Sequence, residues 1–164
     1  MNTLITELKT RARLRLNGIR READGDAADQ RLRDCLNAVA REIGFAHWQH
    51  ARSVLGGRAA RNDDMGTFWH TRRCDGLLNH WFAHYERARE ALAVSEHRVL
   101  VPYRKQFIVV DGNYLKELGL SIDDDAWASA KRDLVQAYGS EAWLGLSERR
   151  LATSRHAVTS TARA

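Results

Sequence analysis

RVLVPYRKQFIVVD, residues 98–111, decides the fold class of this 164-residue chain. Two short runs rich in Val, Ile and aromatic residues, RVLVPY and KQFIVVD, meet at Arg104. Side chains of this kind fit the pleated, half-buried surface of a strand, so the stretch predicts an antiparallel hairpin turning between Pro102 and Lys105. Pro102 has no backbone N–H to donate, which confines its strand to an edge or a strand end. The flanking sequence reads mainly as helix. The expectation is an α+β fold dominated by helices, with a small antiparallel sheet of two or three strands flanked by helices.

Upstream of the hairpin lies LLNHWFAHYERAREAL, residues 77–92. At about 100° per residue, Leu77, Trp81, Tyr85, Ala88 and Leu92 share one arc, which predicts the longest amphipathic helix of the chain, with His80 and His84 on its rim. TFWH (67–70) is short and aromatic and supplies a third strand, and CDG (74–76) a turn. Downstream, Asn113 caps a short helix, YLKELG, ended by Gly119. The aspartates at 123–125 favour the positive end of a further helix with Trp127, Ala130, Leu134 and Tyr138 on one side. They lack the glycine and distal Glu of a calcium loop. SEAWLGLSERRL (140–151) gives the last helix.

The N-terminal third has another character. Leu4, Ile5, Leu8, Ala12, Leu16 and Ile19 form a helical stripe, with Lys9, Arg11, Arg13, Arg15 and Arg20 on the other faces. Asp26 or Asp29 then sits near the start of a second helix, whose buried face is Leu32, Cys35, Leu36, Val39, Ala40 and Ile43 and whose stop is Gly44. A short third helix, AHWQHARSVL, ends at Gly56 and Gly57. The predicted organisation is a three-helix unit over 1–57, a linker over 58–66, an α+β unit over 67–152 and a disordered tail over 153–164.

Composition narrows the function classes. The longest apolar run is FIVV, far short of the roughly 20 residues of a membrane-spanning helix. MNTLITELKTRARLRL has no apolar signal core, and two distant cysteines make no disulfide framework. A cytoplasmic protein with no membrane partner and with reduced thiols is expected. The formal charge is +5, and it is uneven: residues 1–60 hold 11 Lys and Arg against 7 Asp and Glu, the remainder 15 against 14. Local basicity of this kind draws a protein to nucleic acid or to an acidic partner.

AVAREIGFAHWQHARSVL has the outline of a helix-turn-helix, but His50 and Ser53 stand where its second helix would pack through apolar residues. The basic first helix LKTRARLRL followed by LNAVAREIGFAHWQHA resembles, over residues 4–57, the small helical domain of bacterial proteins related to the glyoxalase superfamily. The blocks FWHTRRC, LNHWF, VLVPYRKQFIVVDGNYLKELGL and DDDAW resemble an uncharacterised bacterial protein family. The resemblance implies a fold grouping and no catalytic residue. Glyoxalase activity does not carry over, because the metal-binding βαβββ repeats are absent.

Three function classes follow. The preferred one is a non-enzymatic binding or regulatory protein that meets nucleic acid or an acidic protein partner through Arg11, Arg13, Arg15, Arg20, Arg52 and Arg58. The second is a metal-dependent or cysteine-based enzyme centred on His70, Cys74, His80 and His84. Zinc takes four such ligands at a tetrahedral point, and a His pair at i and i+4 on a helix can supply two. Only five residues separate Cys74 from His80, however, against about twelve between the pairs of a zinc finger. In the cysteine version Cys74 is the nucleophile, His70 or His80 the base, and Asp75 or Asp111 the orienting group. The third class is a protein–protein interaction module, partnered with another protein or forming a homo-oligomer.

Overall fold

The computed structural model describes residues 2–22 and 31–161, with side chains as far as Ser154. The chain divides into two compact units, Met1–Ala59 and Ala60–Ala164. The described residues form seven α-helices and one three-stranded antiparallel sheet, the α+β, helix-dominated fold expected from the hairpin and the helical stripes. No helix among the described residues is long and apolar enough to cross a membrane.

The described residues of the first unit form three helices and no strand: α1 (Thr3–Glu22), α2 (Leu32–Glu42) and α3 (Trp48–Leu55). Leu4, Leu8, Ala12 and Leu16 recur every fourth residue and bury one face of α1, against which α2 brings Cys35, Val39 and Ala40. Gly44 follows α2 with φ +104°, a conformation that strains any residue bearing a Cβ. Asp26 and Asp29, expected at the start of α2, lie outside the described residues. Asp34 instead accepts from the Arg31 backbone N–H at 3.1 Å. Two histidines tie α3 down: His47 Nδ1 accepts from the His50 N–H at 3.2 Å, and His50 Nδ1 accepts from the Ala46 N–H at 3.0 Å. The buried face of α3 is Ala51, Val54 and Leu55, with Trp48 only half-buried.

The second unit contains β1 (His80–Phe82), α4 (Tyr85–Ala93), β2 (Val99–Tyr103), β3 (Gln106–Val110), α5 (Gly112–Glu117), α6 (Asp125–Ser129) and α7 (Glu141–Thr161). The strand order is β1-β3-β2, so the β2–β3 hairpin forms and Pro102 lies on an edge strand. Trp81 pairs with Ile108, and Phe82 with Phe107. Because side chains alternate along a strand, Phe82, Phe107, Val109 and Leu100 line one sheet face, and α4 packs there through Ala88 and Leu92. Trp81, Ile108 and Val101 line the other.

Three elements differ from expectation. The single helix over 77–92 is a strand followed by a helix: spacings of three and four also suit Trp81 on one sheet face and Tyr85 at the first turn of α4. The predicted strand TFWH is a run of turns, followed by a 3-10 turn at Arg72–Cys74. The helix bearing Trp127 stops at Ser129, because Lys131 and Arg132 both take positive φ, 53° and 58°. Arg132 then donates to the Ser95 and Arg98 carbonyls at 2.6 and 3.2 Å. Leu100 N–H reaches the Arg132 carbonyl and Leu134 N–H the Leu100 carbonyl, so this segment closes the outer side of β2.

The predicted linker is also built in, since Met65 N–H donates to the Arg104 carbonyl and Arg104 N–H to the Gly66 carbonyl, both at the hairpin turn. The segment from residue 153, expected to be disordered, continues α7 to Thr161. Thr153 and Ser154 hydroxyls bond carbonyls of the preceding turn, those of Arg149 and Leu151. Residues 162–164 lie outside the described residues.

Candidate functional site

The four groups singled out as zinc ligands or catalytic residues come from four different local settings. His70 follows the turn segment, Cys74 ends the 3-10 turn, His80 opens the exposed edge strand β1, and His84 is the N-cap residue of α4 with no side-chain capping bond. No group of three or more His, Cys, Asp or Glu is gathered as a metal site would require among the described residues. The helix over 77–92 that would align His80 with His84 does not form. A strand end and a helix cap separate them.

His70 is nonetheless held through both ring nitrogens. Its Nε2 lies 2.8 Å from Asp75 Oδ1 and its Nδ1 3.0 Å from the Tyr114 hydroxyl oxygen. Tyr114 donates its only proton to the Trp69 carbonyl at 2.6 Å, so its oxygen is left to accept from His70. The imidazole also packs edge-on against Tyr103 and Trp81, at centroid distances of 5.1 and 6.0 Å. Burial first, and the neighbouring Cys74 second, push the Tyr114 phenol well above its ordinary range. A neutral phenol with its proton committed to a carbonyl is a fastener rather than a nucleophile.

The expected Cys–His–Asp relay is therefore half present. Asp75 does orient His70, but the second ring nitrogen faces Tyr114 instead of a thiol. Cys74 is fully buried, with Sγ 3.9 Å from the Tyr114 carbonyl and 3.7 Å from Thr71 Oγ1. Asp111 caps α5 by accepting from the Tyr114 N–H at 3.1 Å. Arg150 completes the cluster from α7. Its Nε donates to the Phe68 carbonyl at 2.9 Å and its guanidinium lies over the Phe68 ring, while burial works against its charge. These contacts pin the irregular segment 68–75 to α5 and α7.

A second charged centre left no signal in the sequence. Asp133 is fully buried on the α4 side of the sheet. Its Oδ2 accepts from the Tyr85 hydroxyl at 2.6 Å and pairs with Arg89 at 2.9 Å, and its Oδ1 accepts from the Val135 and Gln136 N–H groups. Every lone pair direction is used, as burial of a carboxylate requires. Desolvation, then the hydrogen bond and charge of Asp133, push the Tyr85 phenol up to about 12. The Arg61 guanidinium lies over the Tyr85 ring, 4.3 Å from its centroid. Only the aspartate's position next to an apolar Leu-Val pair hints at burial, and a loop acid reads the same way.

The six arginines that the sequence singles out in the first unit divide into two sets. Arg11 pairs with Glu7 one turn away at 2.9 Å, and Arg15 pairs with Glu42 of α2. Arg13, Arg20, Arg52 and Arg58 are exposed, and none has an acidic partner within ion-pair distance among the described residues. Around α1, Lys9, Arg13 and Arg20 fall within about 40° of one another, on the side of the buried stripe opposite to Arg11 and Arg15. They form a row about 16 Å long at 1.5 Å per residue.

No protein-family model, no curated protein and no solved structure matches this chain.

Proposed function

We propose that the first unit is a nucleic-acid-binding module and that the protein acts by binding, in a regulatory rather than a catalytic role. The observation that carries this reading is the division of its arginines: acids of the same unit neutralise Arg11 and Arg15, while Arg13, Arg20, Arg52 and Arg58 stay exposed and uncompensated among the described residues. Guanidinium groups in this state suit phosphate oxygens, which they meet through paired, planar N–H donors. A helix holds Lys9, Arg13 and Arg20 in a line, and a line of charges suits the regular spacing of a phosphate backbone better than the scattered carboxylates of a protein surface. Base reading has no support in α3, whose middle carries His50 and Ser53 in contacts within the unit.

The test is titration of the full chain against fluorescently labelled single- and double-stranded oligonucleotides across a salt series, with an acidic polypeptide as the competing partner. Phosphate contacts release counterions, so the logarithm of affinity should fall linearly with the logarithm of salt. Replacing Arg13 and Arg20 with Gln should flatten that slope by roughly one for each phosphate no longer neutralised, whereas replacing Arg11 and Arg15 should change it less. Undetectable binding at low salt refutes the reading. Equal or stronger capture by the acidic polypeptide transfers the surface to a protein partner.

A further inference from the structure

The second unit carries two cavities that share lining residues, one mostly apolar and one of mixed polarity, and neither belongs to the His70 cluster. One, of about 210 Å³, is walled mainly by Met65, Pro102, Val135 and Tyr138. The other, of about 500 Å³, is bounded by Asn62, His84 and Lys105, with Glu86 as the one carboxylate on its wall. Arg61 and Phe107 belong to both, so the two spaces meet at a cation and an aromatic ring.

Arg61 is unusually well prepared at this junction. Its guanidinium lies over the Tyr85 ring at 4.3 Å, and that ring cannot swing away because its hydroxyl is bonded to buried Asp133. Asp133 in turn is occupied by Arg89 and two backbone N–H groups, and it makes no ion pair with Arg61. The ring holds the cation by its π face and takes none of its hydrogen bonds with an oxygen acceptor, so the N–H groups of Arg61 remain able to meet an anion. Lys105, at the hairpin turn, brings a second positive charge to the polar space, against the single carboxylate of Glu86.

We infer that this pair of cavities binds a small amphiphilic anion: a single apolar ring carrying a carboxylate or a phosphate ester. The anionic group meets Arg61 and Lys105 in the larger space, and the ring enters the apolar one between Met65, Pro102, Val135 and Phe107. The size agrees, since an apolar cavity of about 150 Å³ in another protein holds benzene, and the smaller space here is about 210 Å³. A few placed polar groups beside a mostly apolar wall is the usual build of a small-molecule site. This inference is independent of the nucleic-acid reading, because it uses no residue of the first unit.

The experiment is titration of the full-length protein with benzoate and with phenyl phosphate, followed by backbone amide chemical shifts. Inorganic phosphate and benzyl alcohol serve as the head-only and ring-only probes. Either aryl anion should shift amides around Arg61, Lys105, Phe107 and Val135 and bind at least ten-fold more tightly than both partial probes. Which of the two binds better assigns the head group. Arg61→Gln, an exposed substitution, should weaken binding at least ten-fold, and Val135→Phe, which fills the apolar space, should abolish the ring's contribution while leaving inorganic phosphate unaffected. No saturable shift at 10 mM probe, on the order of the weakest affinities worth assigning to a site, overturns the inference. So does inorganic phosphate binding as well as phenyl phosphate, or an Arg61→Gln protein that binds unchanged while its amide spectrum shows it folded.

Discussion

The two units use charge in opposite ways. In the first, apolar stripes close the core, and asparagine and histidine side chains complete helix ends: Asn2 on the Leu55 carbonyl, Asn37 on the Trp48 N–H, and His47 and His50 at the start of α3. Its arginines remain at the surface, paired there or left open. In the second, long stretches of turn and loop leave carbonyls and N–H groups without ladder partners, and charged side chains take their place: Arg132 on the Ser95 and Arg98 carbonyls, Arg150 on the Phe68 carbonyl, Asp133 on two N–H groups. A helical bundle can offer its charges to a partner because its fold does not depend on them. An irregular α+β unit cannot offer the ones that fasten its loops.

The strongest way to break this comparison is to remove Asp133. Its loss by Asp133→Ala leaves Arg89, the Tyr85 hydroxyl and two backbone N–H groups without their buried acceptor at one stroke. Arg89, 42% exposed, is able to turn to water, but a buried donor left without its acceptor costs about 1–3 kcal/mol. With the Tyr85 hydroxyl and two N–H groups losing theirs, chemical denaturation should show a loss of about 2–3 kcal/mol. A change of about 1 kcal/mol or less, the level of an ordinary surface substitution, would mean that charge is not a fastener there.

Tyr85 sharpens the same point through pH. Tyr85→Phe deletes one hydrogen bond to a carboxylate that keeps three other donors, a loss of about 1 kcal/mol near neutral pH. The folded phenol titrates near 12, against about 10 in an unfolded chain. Between these values the unfolded state releases the Tyr85 proton and the folded state keeps it, so wild-type stability falls as pH rises. The Phe variant has no such proton. Its stability deficit should be constant below pH ~10, then shrink and reverse before pH ~12, in denaturation curves of the two proteins collected side by side. A deficit that does not change across that window would separate the phenol from Asp133.

How much of this was legible in the sequence follows the same division. The helices α1 to α3 announce themselves because every fourth residue, Leu4, Leu8, Ala12 and Leu16, is apolar and local periodicity is sufficient for a helix. β2 and β3 are legible because their partner is the neighbouring segment across a tight turn. β1 is not, because His80, Trp81 and Phe82 become a strand only through pairing with Val109, Ile108 and Phe107, more than twenty positions away. Its helical spacing was real, and that pairing overrode it. The early stop of α6 is hidden for a related reason: left-handed Lys131 and Arg132 are held by long-range bonds from 132 to 95 and 98 that no local rule contains. Two of the four candidate metal ligands, His80 and His84, are aligned only by a helix over 77–92 that does not form, and the contacts of His70 with Asp75 and Tyr114 join a loop to α5, which only the fold brings near.

The smallest expected effect tests the first unit's half of the comparison. Arg15 and Glu42 link α1 to α2, but both side chains are close to half-exposed, at 41% and 45%. An exposed pair of this kind contributes only about 0.2–1 kcal/mol, so Glu42→Gln should shift the unfolding midpoint barely beyond error. The same substitution removes the acid that neutralises Arg15 and therefore adds one open guanidinium beside α2. If surface charge in this unit is for a partner, oligonucleotide affinity at low salt should rise several-fold in the variant while stability stays nearly constant, and the gain should vanish as salt is raised. A large stability loss with no change in binding would instead make Arg15 a fastener like Arg132, and the distinction between the two units would fail at its most exposed pair.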